Sequence, residues 1–564
     1  PKLLATLETR HRVEVARALR GLRALLPAIL LVALVAAPVV AVFAFMVEPG
    51  QDIWRHLAET VLGEYVRNTL LLAGGVALLT SLIGAGCAWL VTMYRFPGQR
   101  ILNWALILPL AMPAYVLAYA YTDFLQVTGP LQSLIRDLTG WSVRDYWFPP
   151  IRSLGGAVFV LSAVLYPYVY VLARAAFIEQ SECALEVSRT LGCTAFSAFR
   201  RVGLPLARPA IATGVAFVVM ETMADFGTVG YFEVRTFTTG IYRAWYAMGD
   251  PTGAAQLASV LLLFVLAIVA FERLARGRAS FAANTTHIYR KQRQPLHGAA
   301  ARLATLACAL PVLVGFVLPA TILVAMALTS GDGRDLGRLL TLLGNTLLLG
   351  GLAAVVLVGV AIGALYAASR ARSPLAQQLV RTATLGYAAP GAVIGVGILI
   401  VVGTLDSAVD GAGRALLGAG TGLVLGGTLI ALLYGYLVRF FAVAYNPLEA
   451  GLAKVTPTLA DAARVLGCGS LAVLGRIHLP LLRASVLGAL LLVLVDVMKE
   501  LPATLILRPF NFDTLAVEAY QLATTERLAD AALPSLLIVL AGLVPVVLLC
   551  RMIDRGRAST DLVC

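Results

Sequence analysis

The sequence predicts an all-α membrane protein with about 12 transmembrane helices, arranged as two tandem six-helix repeats. Of the 564 residues, 59% are hydrophobic and only 13% are charged, whereas soluble domains carry about 25% charged residues. Apolar windows recur along the whole chain, and each has the roughly 18 or more residues that a helix needs to cross the hydrocarbon core. Short motifs of the first half return 275 or 277 positions later, which indicates a duplicated unit.

The net charge of +13 is explained best by a membrane topology. In a soluble chain, an excess of Lys and Arg is typical of nucleic-acid binding, but no basic stretch here interleaves aromatic residues as single-strand binders do. In a membrane protein the same excess is expected of cytoplasmic loops. The 7 cysteines have no C-x-x-C spacing, so they predict neither a disulfide framework nor a metal cluster.

The first repeat is predicted to span 1–272. No small-residue cleavage site follows the first apolar run, so we expect a retained membrane anchor rather than a cleaved signal. A polar loop carries Trp141, Tyr146 and Trp147, which are typical of the membrane interface. The helices of this repeat are predicted at about 24–47, 68–92, 101–125, 154–178, 205–224 and 253–272.

Residues 273–302 are rich in arginine and poor in apolar residues, and we expect them to form a basic cytoplasmic linker. The second repeat is predicted to span 303–564. If the N-terminus lies inside, the basic turns fall on the cytoplasmic side, and mixed or acidic loops fall on the other side. The helices of this repeat are predicted at about 303–328, 345–369, 379–403, 422–445, 481–500 and 533–552.

Two matched segments, near 179–204 and 447–479, lie between apolar runs and carry the most specific motif of the chain. Each has an acidic residue, small residues, Arg-x-Leu-Gly-Cys and, further on, a Leu-Pro pair. This pattern predicts two short helices joined at a glycine, with the proline in the first turn of the next helix. The residues that define the two copies are Glu186, Arg189, Gly192 and Pro205, and Asp461, Arg464, Gly467 and Pro480.

Both segments resemble the cytoplasmic EAA loop of ABC transporter permeases, the element that docks into the partner ATPase. The first copy has Val187 and Ser188 where the family pattern has two alanines, and Asp461 replaces its glutamate. Small size and negative charge are kept, so the resemblance still implies docking. The alternative is a pair of amphipathic hairpins that the duplication has shared, with no partner.

Acidic residues recur at i and i+4 in an apolar helix of each repeat, at Glu221 and Asp225 and again at Asp496 and Glu500. Each pair lies on one helical face, and carboxylates inside a membrane segment are costly and usually functional. We expect the four to line a substrate pathway near its outer mouth, with Glu221 and Asp225 as candidate metal contacts, because hard cations prefer oxygen ligands. Alternatively, they form ion pairs at the interface with Arg235, Arg243, Lys499 or Arg508.

Tyrosines in the third predicted helix are a second candidate for the pathway. Tyr115 and Tyr119 lie one helical turn apart, and phenolate oxygen is a hard donor that suits ferric iron. The corresponding stretch of the second repeat lacks this set. The alternative is that these tyrosines fill the core or belong to an interfacial belt.

Taken together, these motifs resemble the fused two-repeat permease of ferric iron ABC importers that depend on a periplasmic binding protein. Residues 108–123, 221–228 and 237–245 carry the likeness beyond the EAA loops, and it covers essentially the whole chain. It implies the type I importer permease fold in the bacterial inner membrane, with both termini cytoplasmic. It also implies ferric iron as substrate, a homodimeric ATPase below, and a ferric-binding protein above, against loops 226–252 and 501–532.

The chain has no G-x-x-x-x-G-K-[ST] motif, so it is predicted to be a translocation subunit and not an enzyme. By the resemblance, ATP and Mg are bound by the partner ATPase, and this chain itself binds no cofactor. Import of thiamine, a phosphonate or a polyamine on the same scaffold stays open. An ion-coupled secondary transporter is a further alternative, but it has no use for two matched docking loops.

Overall fold

The computed structural model describes residues 25–45, 59–179, 194–276, 293–329, 335–371, 373–453 and 455–560. Within these ranges the chain is helical throughout, apart from turns, loops and one pair of short strands. The strands β1 (Tyr94–Arg95) and β2 (Gln294–Pro295) pair in parallel. They bring the end of the predicted linker beside the turn that follows the second helix.

In the first half, three long helices and a broken one precede the first predicted coupling loop. Between the longer helices lie a 3-10 turn at Leu108–Ala111 and π-helical turns at Phe199–Gly203 and Arg243–Ala247. The helices are α1 (Leu25–Phe45), α2 (Leu62–Met93), α3 (Gln99–Ala105), α4 (Ala114–Leu125), α5 (Pro130–Thr139), α6 (Leu154–Glu179), α7 (Ala195–Ala198), α8 (Leu204–Ala224), α9 (Gly227–Tyr231), α10 (Phe237–Tyr242) and α11 (Pro251–Arg276).

In the second half, the 3-10 turn at Thr384–Ala388 and the π-helical turn at Leu474–His478 stand at places that correspond to the first half, and a further π-helical turn at Leu313–Val317 does not. The helices are α12 (Gly298–Val312), α13 (Leu318–Thr329), α14 (Leu336–Ala371), α15 (Pro374–Ala383), α16 (Gly391–Leu417), α17 (Leu429–Leu452), α18 (Pro457–Val465), α19 (Ser470–Val473), α20 (Leu479–Met498), α21 (Pro502–Leu507), α22 (Leu515–Thr524) and α23 (Leu528–Thr560).

Within the described ranges, 10 helices are long and apolar enough to cross a membrane, or up to 11 if a bent pair counts as one span. The all-α membrane class is therefore confirmed, with one or two spans fewer than the 12 predicted. The last predicted helix accounts for part of the difference, because the apolar part of α23, Leu528–Val544, falls in the shorter class of 10 to 17 residues.

The predicted third helix is not continuous, so the prediction of one helix over about 101–125 was wrong. Helical segments at Gln99–Ala111 and Ala114–Thr139 meet at an angle of 93°. The break falls at Met112 and Pro113, where Met112 is extended with φ −92° and ψ 116°. Proline lacks a backbone N–H and disfavours the helical conformation of the residue before it, so the helix ends there. Pro390 ends a 3-10 turn in the same way in the second half.

Matching elements recur in the two halves around the repeated Leu-Pro pairs. The sequence α7, π-helical turn, α8 recurs as α19, π-helical turn, α20, with the start of every segment shifted by 275 positions. Asn68 donates to the carbonyl oxygen of Arg235 at 3.0 Å, and Asn345 donates to the carbonyl oxygen of Asp513 at 3.1 Å. The repeated Asn-Thr-Leu-Leu-Leu motif therefore holds a long helix against a distant loop in both halves.

The compact units of the fold do not follow the chain order of the halves. One unit contains residues 1–48 and 344–513, and the other contains 49–343 and 514–564. The helix α1 therefore belongs with elements of the second half, where the Tyr434 hydroxyl donates to the carbonyl oxygen of Leu34 at 2.6 Å. Sequence halves bounded at 272 and 303 stay a prediction about the duplication, not a description of these units.

Small residues allow the closest helix contacts in the larger unit, where α6 packs against both α2 and α8. A Cβ on Gly84 would lie 2.8 Å from the Cβ of Val169, and one on Gly214 would lie 2.9 Å from the Cα of Val169. In a bilayer, where lipid is as apolar as the side chains, such close approach is a main source of helix association. Of the predicted site residues of the first half, Pro205 and Glu221 lie in α8, and Tyr115 and Tyr119 lie in α4.

Candidate coupling loop and translocation path

The second predicted coupling loop is a short helix, a glycine turn and a second helix. The helix α18 ends at Val465, and Gly467 follows with φ +84°. Cys468 N–H donates to the carbonyl oxygen of Ala463 at 2.9 Å, which is the backbone bond of a Schellman C-cap. The pattern of two short helices joined at a glycine is therefore present in the structure. Pro480 lies in the first turn of α20, which continues directly from the π-helical turn.

This loop presents apolar side chains to the surroundings. Val465, Leu466 and Leu471 are 86%, 83% and 77% exposed, while Ala463 and Val473 pack together beneath them. A small buried contact thus fixes the hairpin, and the larger apolar side chains are left uncovered. Contiguous exposed apolar residues rimmed by polar ones are typical of a protein interaction site. Asp461 is exposed on α18 beside this surface, and Arg464 lies in the same helix.

The first predicted loop cannot be compared directly, since Glu186, Arg189 and Gly192 lie outside the described residues. The structure resumes at Thr194, and Pro205 lies in the first turn of α8. That position corresponds to Pro480 in both sequence and structure. The described end of the first loop thus has the same helix, π-helical turn and proline as the second.

Asp225 lies at the end of α8 and caps the next helix. Its carboxylate accepts the backbone N–H groups of Thr228 and Val229 at 3.1 and 3.0 Å, and the Thr228 hydroxyl at 3.1 Å. The carboxylate therefore satisfies donors of the first turn of α9 that would otherwise be unpaired. Glu221, one helical turn earlier, is half-buried.

Glu500 has the same position and the same role in the second repeat. It accepts the N–H groups of Ala503 and Thr504, both at 2.8 Å, and the Thr504 hydroxyl at 2.6 Å. Asp496 forms an ion pair with Lys499 at 2.8 Å, so the alternative interpretation of this residue as an ion-pair partner is supported. The recurring carboxylates thus turn the chain at the end of a membrane helix in both halves.

Tyr115 and Tyr119 are buried in α4. Their rings are 5.8 Å apart, and the Tyr119 ring meets that of Tyr231 edge to face at 4.7 Å. The Tyr119 hydroxyl has no hydrogen-bond partner among the described residues and lies within electrostatic range of Asp225. The structure therefore brings Asp225 and Tyr119, two predicted path residues, into one neighbourhood.

Arg439 is a buried charge that the sequence analysis did not single out. It lies in α17 and is only 8% exposed. A Cβ placed on Gly391 would be 2.7 Å from an Arg439 nitrogen and 2.8 Å from a Glu500 oxygen, so the two charged groups converge over that glycine. A search of the apolar helices for single arginines would have found it, since intramembrane charges are rare and usually functional.

Among the described residues, no group of three or more His, Cys, Asp or Glu side chains is placed to hold a metal ion. Glu221 and Asp225 as metal contacts therefore stay a prediction. With the cap, the Asp225 oxygens already accept three hydrogen bonds. A substrate cation would have to share them with Thr228 and Val229.

A salt bridge joins the polar loop before α6 to the turn before α23. Arg152 donates to Glu526 at 2.8 Å and also to the Tyr231 hydroxyl at 3.0 Å. The hydrogen bond from Arg152 lowers the pKa of the Glu526 carboxyl below its usual value; burial, which acts in the opposite direction, and then the positive charge of Arg152, which also lowers the pKa, are the smaller effects. The bridge ties together loops that belong to opposite halves of the sequence.

One stretch of the chain matches a described family of transport proteins. Residues 80–280 match the family described as the binding-protein-dependent transport system inner membrane component. The matched stretch runs from α2 to the end of α11 and includes the first predicted coupling loop. These residues, just over a third of the chain, are therefore similar to the membrane component of transport systems that depend on a binding protein.

Among the relatives that match more than four fifths of this chain, three are described as ferric transport permeases, and one, from Sinorhizobium fredii, only as a probable ABC transporter permease protein. This chain is 25% identical over 497 residues to the Fe(3+)-transport system permease protein FbpB 2 of Haemophilus influenzae, and the match covers 86% of this chain and 90% of the relative. The ferric transport system permease protein FbpB of Actinobacillus pleuropneumoniae is 24% identical, over 87% of this chain and 71% of the relative. The molybdenum transport system permease protein ModB of Escherichia coli is 29% identical, but over only 36% of this chain.

Proposed function

We propose that this permease imports ferric iron across the bacterial inner membrane, by alternating access driven by ATP hydrolysis in a separate subunit. The observation that carries the proposal is the match to ferric transport permeases over more than four fifths of the chain. The molybdenum and sulfate transport permeases match over 33% to 38% of the chain. They therefore support the shared fold and coupling, and not the substrate.

The partner below is an ATPase that binds ATP and Mg, and we take it to be a homodimer because the chain carries two coupling loops. The exposed residues Val465, Leu466 and Leu471 support this contact. Apolar side chains on a fixed hairpin fit a hydrophobic groove on a partner. Glu186, Arg189 and Gly192 would make the equivalent contact in the first loop.

The partner above is a periplasmic ferric-binding protein, which would dock on the loops at 226–252 and 501–532. In this orientation, both chain ends and both coupling loops lie in the cytoplasm, as the distribution of Lys and Arg predicts. Nucleotide and loaded binding protein can shift the permease between its states only as far as their affinities for those states differ.

The path for iron would run past Asp225, Glu221, Tyr115 and Tyr119 in the first repeat. Support comes from the buried Tyr119 hydroxyl, which has no hydrogen-bond partner among the described residues, and from the contact of the Tyr119 ring with Tyr231 of α9, the helix that Asp225 caps. Carboxylate and phenol oxygens are the hard donors that suit a ferric ion. In the second repeat, Asp496 and Glu500 would line the path together with the positive charge of Arg439.

The test is uptake of radiolabelled ferric iron into proteoliposomes that contain the permease, its ATPase and its binding protein. We expect ATP-dependent uptake that unlabelled ferric iron suppresses and that molybdate, sulfate and thiamine leave unchanged. Proteoliposomes prepared without the ATPase serve as the control for leakage of iron. ATP turnover stimulated by another solute, without iron uptake, would overturn the iron assignment and leave the permease assignment intact.

A further inference from the structure

An apolar cavity of about 440 Å³ lies between α2, α6 and α12 in the larger unit, within segments long enough to cross the membrane. Leucines of α2, together with Phe159 and Leu310, form much of its wall. The lining runs along α2 from Leu79 to Leu90, which is about 16 Å at the helical rise. Its length and apolar wall therefore suit a hydrocarbon chain.

Two buried hydroxyl groups interrupt this apolar lining. Ser162 is 2% exposed and Tyr166 is fully buried, and both line the cavity. Neither hydroxyl has a hydrogen-bond partner among the described residues. A buried hydroxyl without a partner costs about 1–3 kcal/mol, so a ligand with an ester or other acceptor oxygen would stabilise this site. Plain hydrocarbon alone would leave both groups unpaired.

A cluster of four arginines lies close to one end of the cavity. Arg95 follows Leu90 of the lining by five residues, and the pairing of β1 with β2 brings Arg293 beside it. An Arg293 nitrogen donates to Gln99 at 3.4 Å, next to Arg100. Arg174 completes the cluster from α6, where the neighbouring Tyr170 hydroxyl donates to the carbonyl oxygen of Asn103 at 2.9 Å.

The charges of this arginine cluster act on one another. Partial desolvation by the surrounding protein, and next the positive charges of Arg174, Arg95 and Arg100, lower the pKa of Arg293. Segments 94–105, 165–178 and 293–305 contain no acidic residue. Among the described residues, no carboxylate pairs with Arg95, Arg100 or Arg293. A phosphate group would relieve this repulsion.

We propose that this cavity and the adjacent arginine cluster bind an anionic phospholipid. One acyl chain would fill the cavity, an ester oxygen would accept from Tyr166, the hydroxyl nearer the arginines, and the phosphate would lie among the four arginines. The arginine end carries the basic turns that are predicted to face the cytoplasm, so the lipid would come from the inner leaflet. Its role would be to fix the linker end at Arg293 to the first repeat.

The chain offers a matched pair of variants on one helix. A Cβ on Gly86, which lines the cavity, meets nothing within 4 Å, and neither does a Cβ on Gly74 outside the cavity. Gly86→Leu would therefore occupy the acyl site without a clash at its first atom, and Gly74→Leu adds the same side chain elsewhere on α2. Both variants are first compared with the wild type by thermal unfolding, to show equal folding.

The measurement is native mass spectrometry of the full chain, incubated with phosphatidylglycerol or with phosphatidylcholine of the same acyl chains. We expect the wild type to retain phosphatidylglycerol preferentially, Gly86→Leu to lower retention of both lipids about tenfold, and Gly74→Leu to behave as the wild type. Arg293→Gln should weaken phosphatidylglycerol binding about fivefold and leave phosphatidylcholine unchanged.

Three outcomes would overturn the proposal. Equal retention of the two lipids by the wild type would remove the role of the arginines. Equal effects of Gly86→Leu and Gly74→Leu would remove the cavity. Displacement of the lipid by millimolar inorganic phosphate alone would show a phosphate site without an acyl chain. If Gly86→Leu unfolds at a lower temperature than Gly74→Leu, Tyr166→Phe tests the same site, because it removes a lining hydroxyl with little change in volume; unchanged lipid retention by Tyr166→Phe would then overturn the proposal.

Discussion

The φ angle of Gly467 determines the shape of the candidate coupling loop. With φ at +84°, Gly467 occupies a conformation in which a Cβ would crowd its own backbone, although nothing else lies within 4 Å of that position. The turn places Val465 and Leu466 on the exposed surface. Glycine is therefore needed here for its backbone and not for space.

We expect Gly467→Ala to weaken the association of the permease with its ATPase by about 5- to 30-fold, because the left-handed conformation costs a residue with a Cβ about 1–2 kcal/mol. Gly469→Ala is the control, since Gly469 lies in the same loop with open space around it and no positive φ. The measurement is the dissociation constant of the two purified subunits. Equal losses in both variants would contradict the role of the turn.

The matched carboxylates separate two roles that the sequence could not distinguish. Asp225 and Glu500 each accept hydrogen bonds from two backbone N–H groups and from one threonine hydroxyl. Capping of this kind contributes about 1 kcal/mol. Their recurrence at the same place in both repeats is therefore explained by chain reversal, whether or not iron passes nearby.

We expect Asp225→Asn and Glu500→Gln to lower the unfolding temperature by similar small amounts, because each amide keeps one acceptor oxygen and loses the charge. If the iron path follows the tyrosines of the first repeat, Asp225→Asn should lower iron uptake about tenfold, as losing a hydrogen bond to a charged group costs about 1.5–3 kcal/mol. Glu500→Gln should lower it less. Equal uptake in the two variants, at equal stability, would show that both carboxylates act only as caps.

At the residue level, sequence patterns identified the glycine turn and the recurring carboxylates, but they missed Arg439. Sequence spacing predicts which residues share a helical face, but it does not predict which other helix packs against that face. The convergence of Arg439 and Glu500 over Gly391 depends on helix packing between distant segments. No periodicity within one helix contains that information.

At the element scale, the Arg152–Glu526 bridge connects a loop of the first half to the turn between α22 and α23. Its side chains are 33% and 62% exposed, so solvent screening limits its contribution. Arg152 also lies over the Tyr231 ring, 4.8 Å from its centroid. The packing on Tyr231 therefore adds to the bridge in holding this junction.

The stability from this bridge should depend on pH in the acidic range. Glu526 has a folded pKa below its unfolded one, so its contribution is fully present above the ordinary glutamate pKa of about 4.3 and is lost as the pH falls through the lower folded pKa. We expect a double-mutant cycle of Arg152→Gln and Glu526→Gln to give about 0.2–1 kcal/mol of coupling at pH 7. At pH 3 the coupling should shrink toward zero.

The control for that cycle is Arg527→Gln, which removes an ion pair to Asp530 within the same turn. It should change stability without coupling to Arg152. Thermal unfolding in detergent gives all four corners of the cycle. A coupling near zero already at pH 7 would show that Arg152 acts through Tyr231 and not through the carboxylate.

The positions of the helices could be predicted where apolar length and composition determine them, but the bends within an apolar stretch could not. Apolar length located the long helices, and Leu-Pro located the start of α8 and α20. The 93° break of the third helix was missed because an apolar stretch hides it. Pro113 was the available signal, since a proline makes the preceding residue extended and removes a backbone donor.

At the scale of the whole molecule, the repeat in the sequence and the compact units of the structure divide the chain differently. The offsets of 275 and 277 reveal duplication, yet α1 belongs to the unit that contains 344–513. The reason is that an apolar helix can pack on any face of suitable shape. The face that α1 contacts is determined by small residues of the neighbouring elements. Here these are Gly397 of α16 and Gly386 of the preceding 3-10 turn, where an added Cβ atom would meet Pro38 and Val35, respectively.

We expect Gly397→Val to loosen α1 although the two lie far apart in sequence, because its side chain would collide with the Pro38 carbonyl. Overpacking of this kind costs about 1–3 kcal/mol, so hydrogen exchange of the α1 backbone should rise about tenfold. Gly403→Val is the control on the same helix α16, since a Cβ there meets nothing within 4 Å. If exchange rises in α2 instead of α1, the first helix packs with its own repeat, and the compact units follow the order of the sequence.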